Sequence, residues 1–373
     1  MLAAPDDRSP DNRSMDSRWM AQALRLAELG LYGTSPNPRV GCVLVADGQC
    51  VGSGWHRRAG EPHAEVLALR EAGDAARNAT AYVTLEPCSH HGRTPPCADA
   101  LIAAGIARVV VAVQDPNPAV AGAGIAKLRA AGIAVDIGLM EAGATELNRG
   151  FFARMSRGTP WLRSKIAISL DGRTALANGA SKWITGAAAR HDVQHWRARS
   201  CAVLTGIGTV LADDARLNVR DIGTERQPLR VVLDSRLRMP ATARMLEEGN
   251  VLIYAAQRDP EKIASLEKAG ATVHMLADER NQVDLPAMLR DLAQRGCNEV
   301  LLEAGRTLNG AMLRAGLVDE LLLYVAPQLL GDSARGMAQL GELTALDQRI
   351  ELKWQDVRQV GNDLRITVKV EHV

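Results

Sequence analysis

From residue 17 to 31 the apolar positions recur at helical spacing, with Gly33 just beyond, and this predicts a first helix. Two apolar runs follow, at 40–46 and 49–54, parted by Asp47-Gly48. Asp-Gly between strand-like runs suits the positive-φ positions of a tight turn, so a β-hairpin is expected. The pattern then alternates: helix at 63–70, strand at 81–85, helix at 98–104, strand at 109–113, helix at 123–131, strand at 133–137. Strands and helices in alternation bury a sheet between helical layers, so the expected fold class is α/β with three layers.

A helical stretch at 141–154 runs into Ser156-Arg157-Gly158-Thr159-Pro160, where Gly and Pro mark a joint. A second α/β series starts at Trp161. Its strand candidates lie at 162–168, 202–204, 229–233, 251–254, 272–275, 300–302 and 321–325, and a closing hairpin spans 352–368. A chain of 373 residues exceeds one typical core, so two domains are expected. The division is a lead-in at 1–15, one domain at 16–155 and another at 156–373.

Composition narrows the function. Lys+Arg number 44 against 43 Asp+Glu, a balance that speaks against a broad basic surface holding nucleic acid. Six Trp, four Tyr and two Phe are too few for the stacking platforms of a single-strand binder. The apolar runs are short and interrupted by charge, so no membrane span is expected. Residues 1–14 have no apolar stretch and read as a disordered lead-in without a signal peptide, which points to the cytoplasm. The cysteines, at 42, 50, 88, 97, 201 and 297, are scattered, so no disulfide framework is expected. Only Cys88 and Cys97 sit in polar, loop-like surroundings.

Pro62-His63-Ala64-Glu65 opens a predicted helix, and Glu86-Pro87-Cys88 follows a predicted strand. Cys97 comes after eight intervening residues, directly behind Pro95-Pro96. One His and two Cys supply three zinc ligands, and a catalytic zinc keeps its fourth position for water. Both cysteines stand where loops meet helix N-termini, whose dipole favours thiolate. Glu65 need not ligate. It can carry a proton from the zinc-bound water, whose pKa the metal lowers to about 7, to a ring nitrogen and then to departing ammonia. His-x-Glu with Pro-Cys-x-x-Cys is the pattern of zinc nucleobase deaminases, here with the second cysteine displaced. A structural zinc knuckle is the alternative, but it has four protein ligands and no carboxylate beside the metal.

Ser35-Pro36-Asn37-Pro38-Arg39-Val40-Gly41, His63-Ala64-Glu65, Glu86-Pro87-Cys88 and Gly92-Arg93-Thr94-Pro95-Pro96-Cys97 together resemble the bifunctional riboflavin-biosynthesis deaminase–reductases. The long spacing between the cysteines is characteristic of that family. The resemblance implies that His63, Cys88 and Cys97 bind zinc, that Glu65 is the proton shuttle, and that Asn37 and His56 belong to the substrate pocket. His90 and His91 are expected to be solvated loop residues. The resemblance continues through Ser169-Leu170-Asp171-Gly172-Arg173-Thr174-Ala175, Ser181-Lys182-Trp183-Ile184-Thr185-Gly186, Thr205-Gly206-Ile207-Gly208-Thr209-Val210, Ala212-Asp213-Asp214, Asp234-Ser235, Glu303-Ala304-Gly305 and Leu317-Val318-Asp319-Glu320. It implies a cytidine-deaminase-like domain followed by a dihydrofolate-reductase-like α/β domain that uses NADPH.

The residues of the second half say less by themselves. Amides of Gly206-Ile207-Gly208 could cradle a phosphate, but Leu211 stands where a Rossmann motif wants its third glycine. Gly305 offers a second amide-rich turn. Ser235 and Arg236 could receive a 2′-phosphate, or Asp234-Ser235 could be an ordinary turn. By resemblance the cofactor is expected around Ala167, Trp183, Thr209, Asp213, Ser235, Gly305, Arg306, Thr307, Leu308, Asn309, Gly310 and Ala311. Ser181, Arg197, Leu217, Arg220 and Glu303 are the expected substrate contacts, the two arginines suiting a ribose phosphate. Lys165 either orients ribityl or ring oxygens or is a strand-edge lysine. His191 and His195, four apart on a helix, suit a solvated face. Three positions depart from the family's usual pattern: Ala215 replaces a frequent Pro, and Ala304-Gly305-Arg306 replaces Gly-Gly-Pro, adding a charge beside the expected pyrophosphate.

The function expected is deamination of 2,5-diamino-6-ribosylamino-4(3H)-pyrimidinone 5′-phosphate with one zinc per chain, then NADPH reduction of the ribose to a ribitylamino side chain. The partner is this small phosphorylated pyrimidine, with no nucleic acid and no membrane; a homo-oligomer is left open. The alternative is a nucleic-acid or nucleotide deaminase with an accessory nucleotide-binding domain, which wants a basic, aromatic-rich surface.

Overall fold

Helix α1 (Pro10–Glu28) opens the computed structural model, which describes residues 10–371 apart from 91–94 and 119. It begins seven residues earlier than the apolar periodicity indicated and takes in the last part of the expected lead-in. Proline is tolerated at a first helical position because its missing N–H would have no partner there. Asp16, inside that segment, is buried and anchored by the Tyr82 hydroxyl at 2.6 Å and by Arg108 at 2.7 Å. Residues 1–9, and His91 with them, lie outside the described residues.

The hairpin β1 (Gly41–Ala46) and β2 (Gln49–Trp55) turns at Asp47 and Gly48, whose φ values are 49° and 73°. Then come α2 (Ala64–Ala72), β3 (Thr80–Val83), α3 (Cys97–Ala103), β4 (Arg108–Val111), α4 (Ala123–Ala130), β5 (Ala134–Ile137), α5 (Glu141–Leu147) and α6 (Arg149–Arg157). The strand order is β2-β1-β3-β4-β5. The ladders on either side of β1 are antiparallel, and the other two are parallel. Alternate residues of β1 serve opposite faces, as strand geometry requires. Cys42 and Leu44 pack with Ala64, Ala68, Leu101 and Leu128 of α2, α3 and α4. Val43 and Val45 pack with Met20, Ala23, Ala144 and Phe151 of α1, α5 and α6. The single helix expected at 141–154 is two helices. They part at Asn148, whose side chain accepts from the Arg39 amide and donates to the Arg39 carbonyl, both at 2.8 Å. That long-range pairing pins the residue outside helical geometry, at φ −110° and ψ 18°.

The chain divides into two compact units, up to Arg157 and from Gly158 onward. The second contains β6 (Trp161–Ser169), β7 (Arg173–Ala175), α7 (Ala187–Arg199), β8 (Ala202–Gly206), α8 (Ile207–Asp213), β9 (Leu229–Leu233) and β10 (Val251–Ala255). It continues with α9 (Pro260–Lys268), β11 (Ala271–Met275), α10 (Leu285–Gln294), β12 (Glu299–Leu302) and α11 (Arg306–Arg314). It ends with β13 (Glu320–Ala326), β14 (Arg335–Gly336), β15 (Leu352–Val360) and β16 (Asp363–Val370). The main sheet runs β11-β10-β9-β8-β12-β6-β13-β16-β15, parallel as far as β13 and antiparallel after it. Helices α10 and α11 cover one face through Met288, Leu292 and Met312. Helices α7, α8 and α9 cover the other through Val193, Val210 and Leu266. A parallel sheet buried on both faces binds ligands beyond the carboxyl ends of its strands, and here the ends of β6, β8, β9 and β12 do open on a cleft. Among the described residues no helix is long and apolar enough to cross a membrane.

Candidate functional site

His63 is the N-cap of α2, Cys97 is the first residue of α3, and Cys88 stands in the loop after β3. The His63 Nδ1 lies 3.2 Å from the Cys97 Sγ and 3.6 Å from the Cys88 Sγ. The Cys97 amide donates to the Cys88 Sγ at 3.3 Å, the N-terminal dipole acting on a sulfur. The three donor atoms lie within 4.8 Å of one another, the one such group found among the described residues. The hydrogen bond with Cys97 brings Cys88 down to about 4 against the opposing effect of burial, while that bond and burial raise Cys97. One imidazole nitrogen and two sulfurs within reach of a single divalent cation are a donor set that fits zinc.

Glu65 sits in the first turn of α2 and is buried. Burial first, then the Cys88 charge, pushes its carboxyl up to about 7. Its Oε2 has no hydrogen-bond partner, and a buried oxygen in that state calls for water or a substrate atom. His56, buried after β2, uses Nδ1 to donate to the Pro62 carbonyl at 3.3 Å, leaving Nε2 to accept from Asn37 Nδ2 at 3.0 Å. Burial lowers its pKa, which keeps the ring neutral, and the ring meets that of His63 edge-on at 5.1 Å. Asn37 and His56 therefore stand beside the donor trio. His90 is exposed and is not in the trio.

Sequence reasoning missed the work of Glu86. Its carboxylate accepts from the amides of Gly122 and Gly124, both at 2.9 Å, and of Asp115 and Ile125, both at 3.2 Å. It thereby ties the Pro87-Cys88 loop to the N-terminus of α4. A Cβ at Gly124 would lie 1.9 Å from the Pro87 carbonyl oxygen, so only glycine permits the approach. An acid three residues after the end of a strand carries no signal of this in the sequence.

In the second unit an open cleft of about 2650 Å³ is lined by most of the residues singled out beforehand. Ala167, Ser181, Trp183, Thr209, Asp213, Leu217, Arg220, Ser235 and Glu303 border it, as do Gly305 to Leu308 and Ala311. Asn309 and Gly310 do not; they are corrected to core positions. Helical periodicity turns them inward. Asn309 accepts from the Ser164 hydroxyl and donates to the Ala304 carbonyl, both at 3.0 Å, and a Cβ at Gly310 would lie 2.2 Å from the Gln339 carbonyl oxygen. Gly305 is the N-cap of α11 with no side-chain cap, so its first amides face the cleft unclaimed. Trp183 is 69% exposed, with the Arg190 guanidinium 4.7 Å from the ring centroid. Asp213 pairs with Lys182 at 3.0 Å.

Arg197 also lines the cleft, but its fork is occupied. It donates to both Glu303 oxygens, at 2.5 and 3.0 Å, and to the Asn218 carbonyl at 3.1 Å. Burial would raise Glu303, but the Arg197 charge and hydrogen bonds hold it below the usual carboxylate range. Arg197 therefore orients Glu303, and of the two expected phosphate arginines only exposed Arg220 presents itself outward. Lys165 lies on β6, an interior strand, so the strand-edge reading falls. Its ammonium borders the cleft, and burial lowers its pKa while Glu303 opposes that shift. Asp234 is fully buried with Oδ2 accepting from the Met239 amide at 2.8 Å, whereas Ser235 and exposed Arg236 line the cleft. Arg238 and Arg280 also line the cleft; Arg280 arrives from a distant loop that no local motif marks.

A family model of the cytidine and deoxycytidylate deaminase zinc-binding region matches residues 13–113, and one of the RibD C-terminal domain matches 160–366. The chain is 50% identical over 363 residues to riboflavin biosynthesis protein RibD of Escherichia coli K12, covering 93% of this chain and 97% of that one. It is 45% identical over 361 residues to the Haemophilus influenzae protein of the same name, covering 94% and 96%. Acinetobacter baumannii RibD has a TM-score of 0.90 at 50% identity, covering 96% of this chain and 100% of that one. A Thermotoga maritima diaminohydroxyphosphoribosylaminopyrimidine deaminase/5-amino-6-(5-phosphoribosylamino)uracil reductase has a TM-score of 0.84 at 32% identity, covering 96% and 99%. These matches run through both units, and they do not favour the nucleic-acid deaminase reading. With a cytidine-deaminase-like unit followed by a dihydrofolate-reductase-like one, the chain belongs to the RibD family, as a bifunctional deaminase and reductase of riboflavin biosynthesis.

Proposed function

We propose that the first unit holds one zinc ion on His63, Cys88 and Cys97 and deaminates 2,5-diamino-6-ribosylamino-4(3H)-pyrimidinone 5′-phosphate, and that the second reduces the product with NADPH. The observation that carries the first half is the buried, unpartnered Glu65 Oε2 beside three converging donors. Zinc bound there would supply a water that ionises at about pH 7. Glu65 would take one proton from the attacking water and deliver it to the ring nitrogen, then pass a second, from the hydroxyl of the adduct, to the amino group that leaves as ammonia. Asn37 and His56 hold the ring by its polar edge.

For the second half, NADPH supplies the hydride that converts the open ribose to ribityl. The free amides at Gly305–Leu308, with Arg306, receive the pyrophosphate, and Ser235 with Arg236 receives the 2′-phosphate. Ala167, Trp183, Thr209, Asp213 and Ala311 frame the rest of the cofactor. Glu303, oriented by Arg197, and Lys165 bind the ribose and ring oxygens, with Ser181 and Leu217 beside them and Arg220 on the phosphate. The partner is a small phosphorylated pyrimidine in the cytoplasm, with neither nucleic acid nor membrane involved.

One assay tests both halves. The diaminopyrimidinone phosphate is incubated with and without NADPH, and products are followed by mass. Without NADPH only the deaminated compound should form, and with it the ribitylamino product. Ammonia released from cytidine or an oligonucleotide at a comparable rate would revive the nucleic-acid alternative.

A further inference from the structure

Ser235 follows β9, and the turn at 277–283, after β11, is attached to it: the Val283 amide donates to the Ser235 Oγ at 3.2 Å. Having accepted there, the hydroxyl keeps its own proton to donate. The turn is held by its own groups. Ala277 and Val283 form an antiparallel bridge at its base. The Asp278 Oδ1 accepts from the amides of Arg280, at 2.8 Å, and Gln282, at 2.7 Å. Arg280 is thereby carried at the tip, exposed and lining the cleft, three residues from the bond to Ser235. The end of β9 is fixed in the same way. Leu237 is buried at φ 51°, a rare backbone for a bulky side chain, and its amide donates to the Asp234 carbonyl at 3.1 Å. Strain of this kind collects at ligand sites, and here it sends Leu237 into the core and leaves Arg236 and Arg238 exposed on the cleft.

We propose that Arg280 is a specificity-determining residue of the reductase unit, binding the 2′-phosphate of NADPH together with Ser235 and Arg236 and so selecting NADPH over NADH. The inference rests on the reading that NADPH binds in this cleft with its 2′-phosphate at Ser235. The charges favour it. Elsewhere in the cleft Arg197, Arg216 and Arg220 face Glu303, Glu247 and Asp221. Arg236, Arg238 and Arg280 have no carboxylate partner among the described residues. Three acids stand near them in the chain, and each is turned to backbone amides: Asp234 to Met239, Asp278 to Arg280 and Gln282, and Asp284 to Ala287. None of the three is directed at a ribose diol, as the acid of an NAD site is. A phosphate monoester carries about −1.5 to −2 charge and three acceptor oxygens, so Arg236 alone would leave it about half neutralised. A second guanidinium on a rigid turn supplies the missing charge and a fork of donors already in place.

Calorimetric titration of the full chain tests this without turnover. Adenosine 2′,5′-bisphosphate and adenosine 5′-monophosphate differ only in the 2′-phosphate, and NADPH and NADH are titrated beside them. The parent chain should prefer the phosphorylated member of each pair. Arg280→Ala should weaken the bisphosphate and NADPH by about tenfold or more, and the monophosphate and NADH by less than about twofold. Arg280→Lys keeps the charge but not the fork, so its loss should fall between parent and alanine. Arg290→Ala, exposed on α10 and not lining the cleft, removes the same net charge and should change neither ratio. If Arg280→Ala keeps the parent's preference, weakens both members of a pair equally, or does no more than Arg290→Ala, the proposal is overturned while the cofactor reading stands. A parent chain that does not distinguish the members of either pair overturns the 2′-phosphate reading and this proposal with it.

Discussion

Glu65 is an acid closed off from water, with one oxygen unpartnered and a sulfur donor set beside it. Its value for stability is negative: a buried polar atom without a partner costs about 1–3 kcal/mol, so chemistry must explain its place. Glu65→Gln keeps shape and volume but cannot shuttle protons. Zinc content should stay, deamination should fall by about 10²–10⁴-fold, and reduction of the already deaminated compound should be unchanged. Parallel zinc analysis and the two separate rate assays read this, and a deamination rate near that of the parent removes Glu65 from the chemistry. This site was legible in the sequence because two of its donors, His63 and Cys97, sit at helix starts, while Cys88 in the loop after β3 was marked by its Glu-Pro-Cys motif. The cleft was legible only through resemblance. Nothing local says that Arg197 spends its fork on Glu303, 106 residues away, or that Asn309 and Gly310 turn from the cleft while Ala311 faces it.

At the scale of elements, the short loop after β3 reaches the right place because α4 holds it. Four amides converge on the Glu86 carboxylate, two of them, from Gly124 and Ile125, in buried bonds. Glu86→Ala leaves those two buried donors without partners, at about 1–3 kcal/mol each. The expected result is a loss of about 2–5 kcal/mol in denaturant unfolding of the first unit, with zinc lost more readily to a chelator. Glu86→Gln keeps an acceptor oxygen and should cost less; equal losses in the two variants would show that the carboxylate bonds are not what holds the loop. Strands of the two large sheets were legible to within a residue or two because their buried strands are uninterrupted apolar runs, whereas the short pair β7 and β14 was not foreseen. Other features were hidden for physical reasons. Helix α8 starts on Ile207-Gly208, poor helix formers held by packing of Ile207 and Val210, and the break at Asn148 is imposed by Arg39, far away in sequence.

At the scale of the molecule, each unit carries its own cores. The clusters around β1 and β4 draw every member from residues up to 155, and those around β6 and β8 draw theirs from residue 162 onward. The first strand of the second unit is also tied within that unit. The Trp161 amide donates to the Asn298 carbonyl at 2.9 Å and the Leu162 amide to Asp319 Oδ2 at 2.7 Å. Beneath them Arg163, fully buried, is neutralised by Glu299 and Glu320, both of the same unit. A chain beginning at Gly158 thus keeps every member of these cores, the strands that pair with β6 and the two carboxylates that neutralise Arg163. It should fold cooperatively and bind NADPH, reported by quenching of Trp183 fluorescence, with an affinity within about threefold of the full chain. A fragment that is insoluble would show that the second core is not self-sufficient. One that folds but ignores NADPH would show that the cofactor site draws on residues before Gly158.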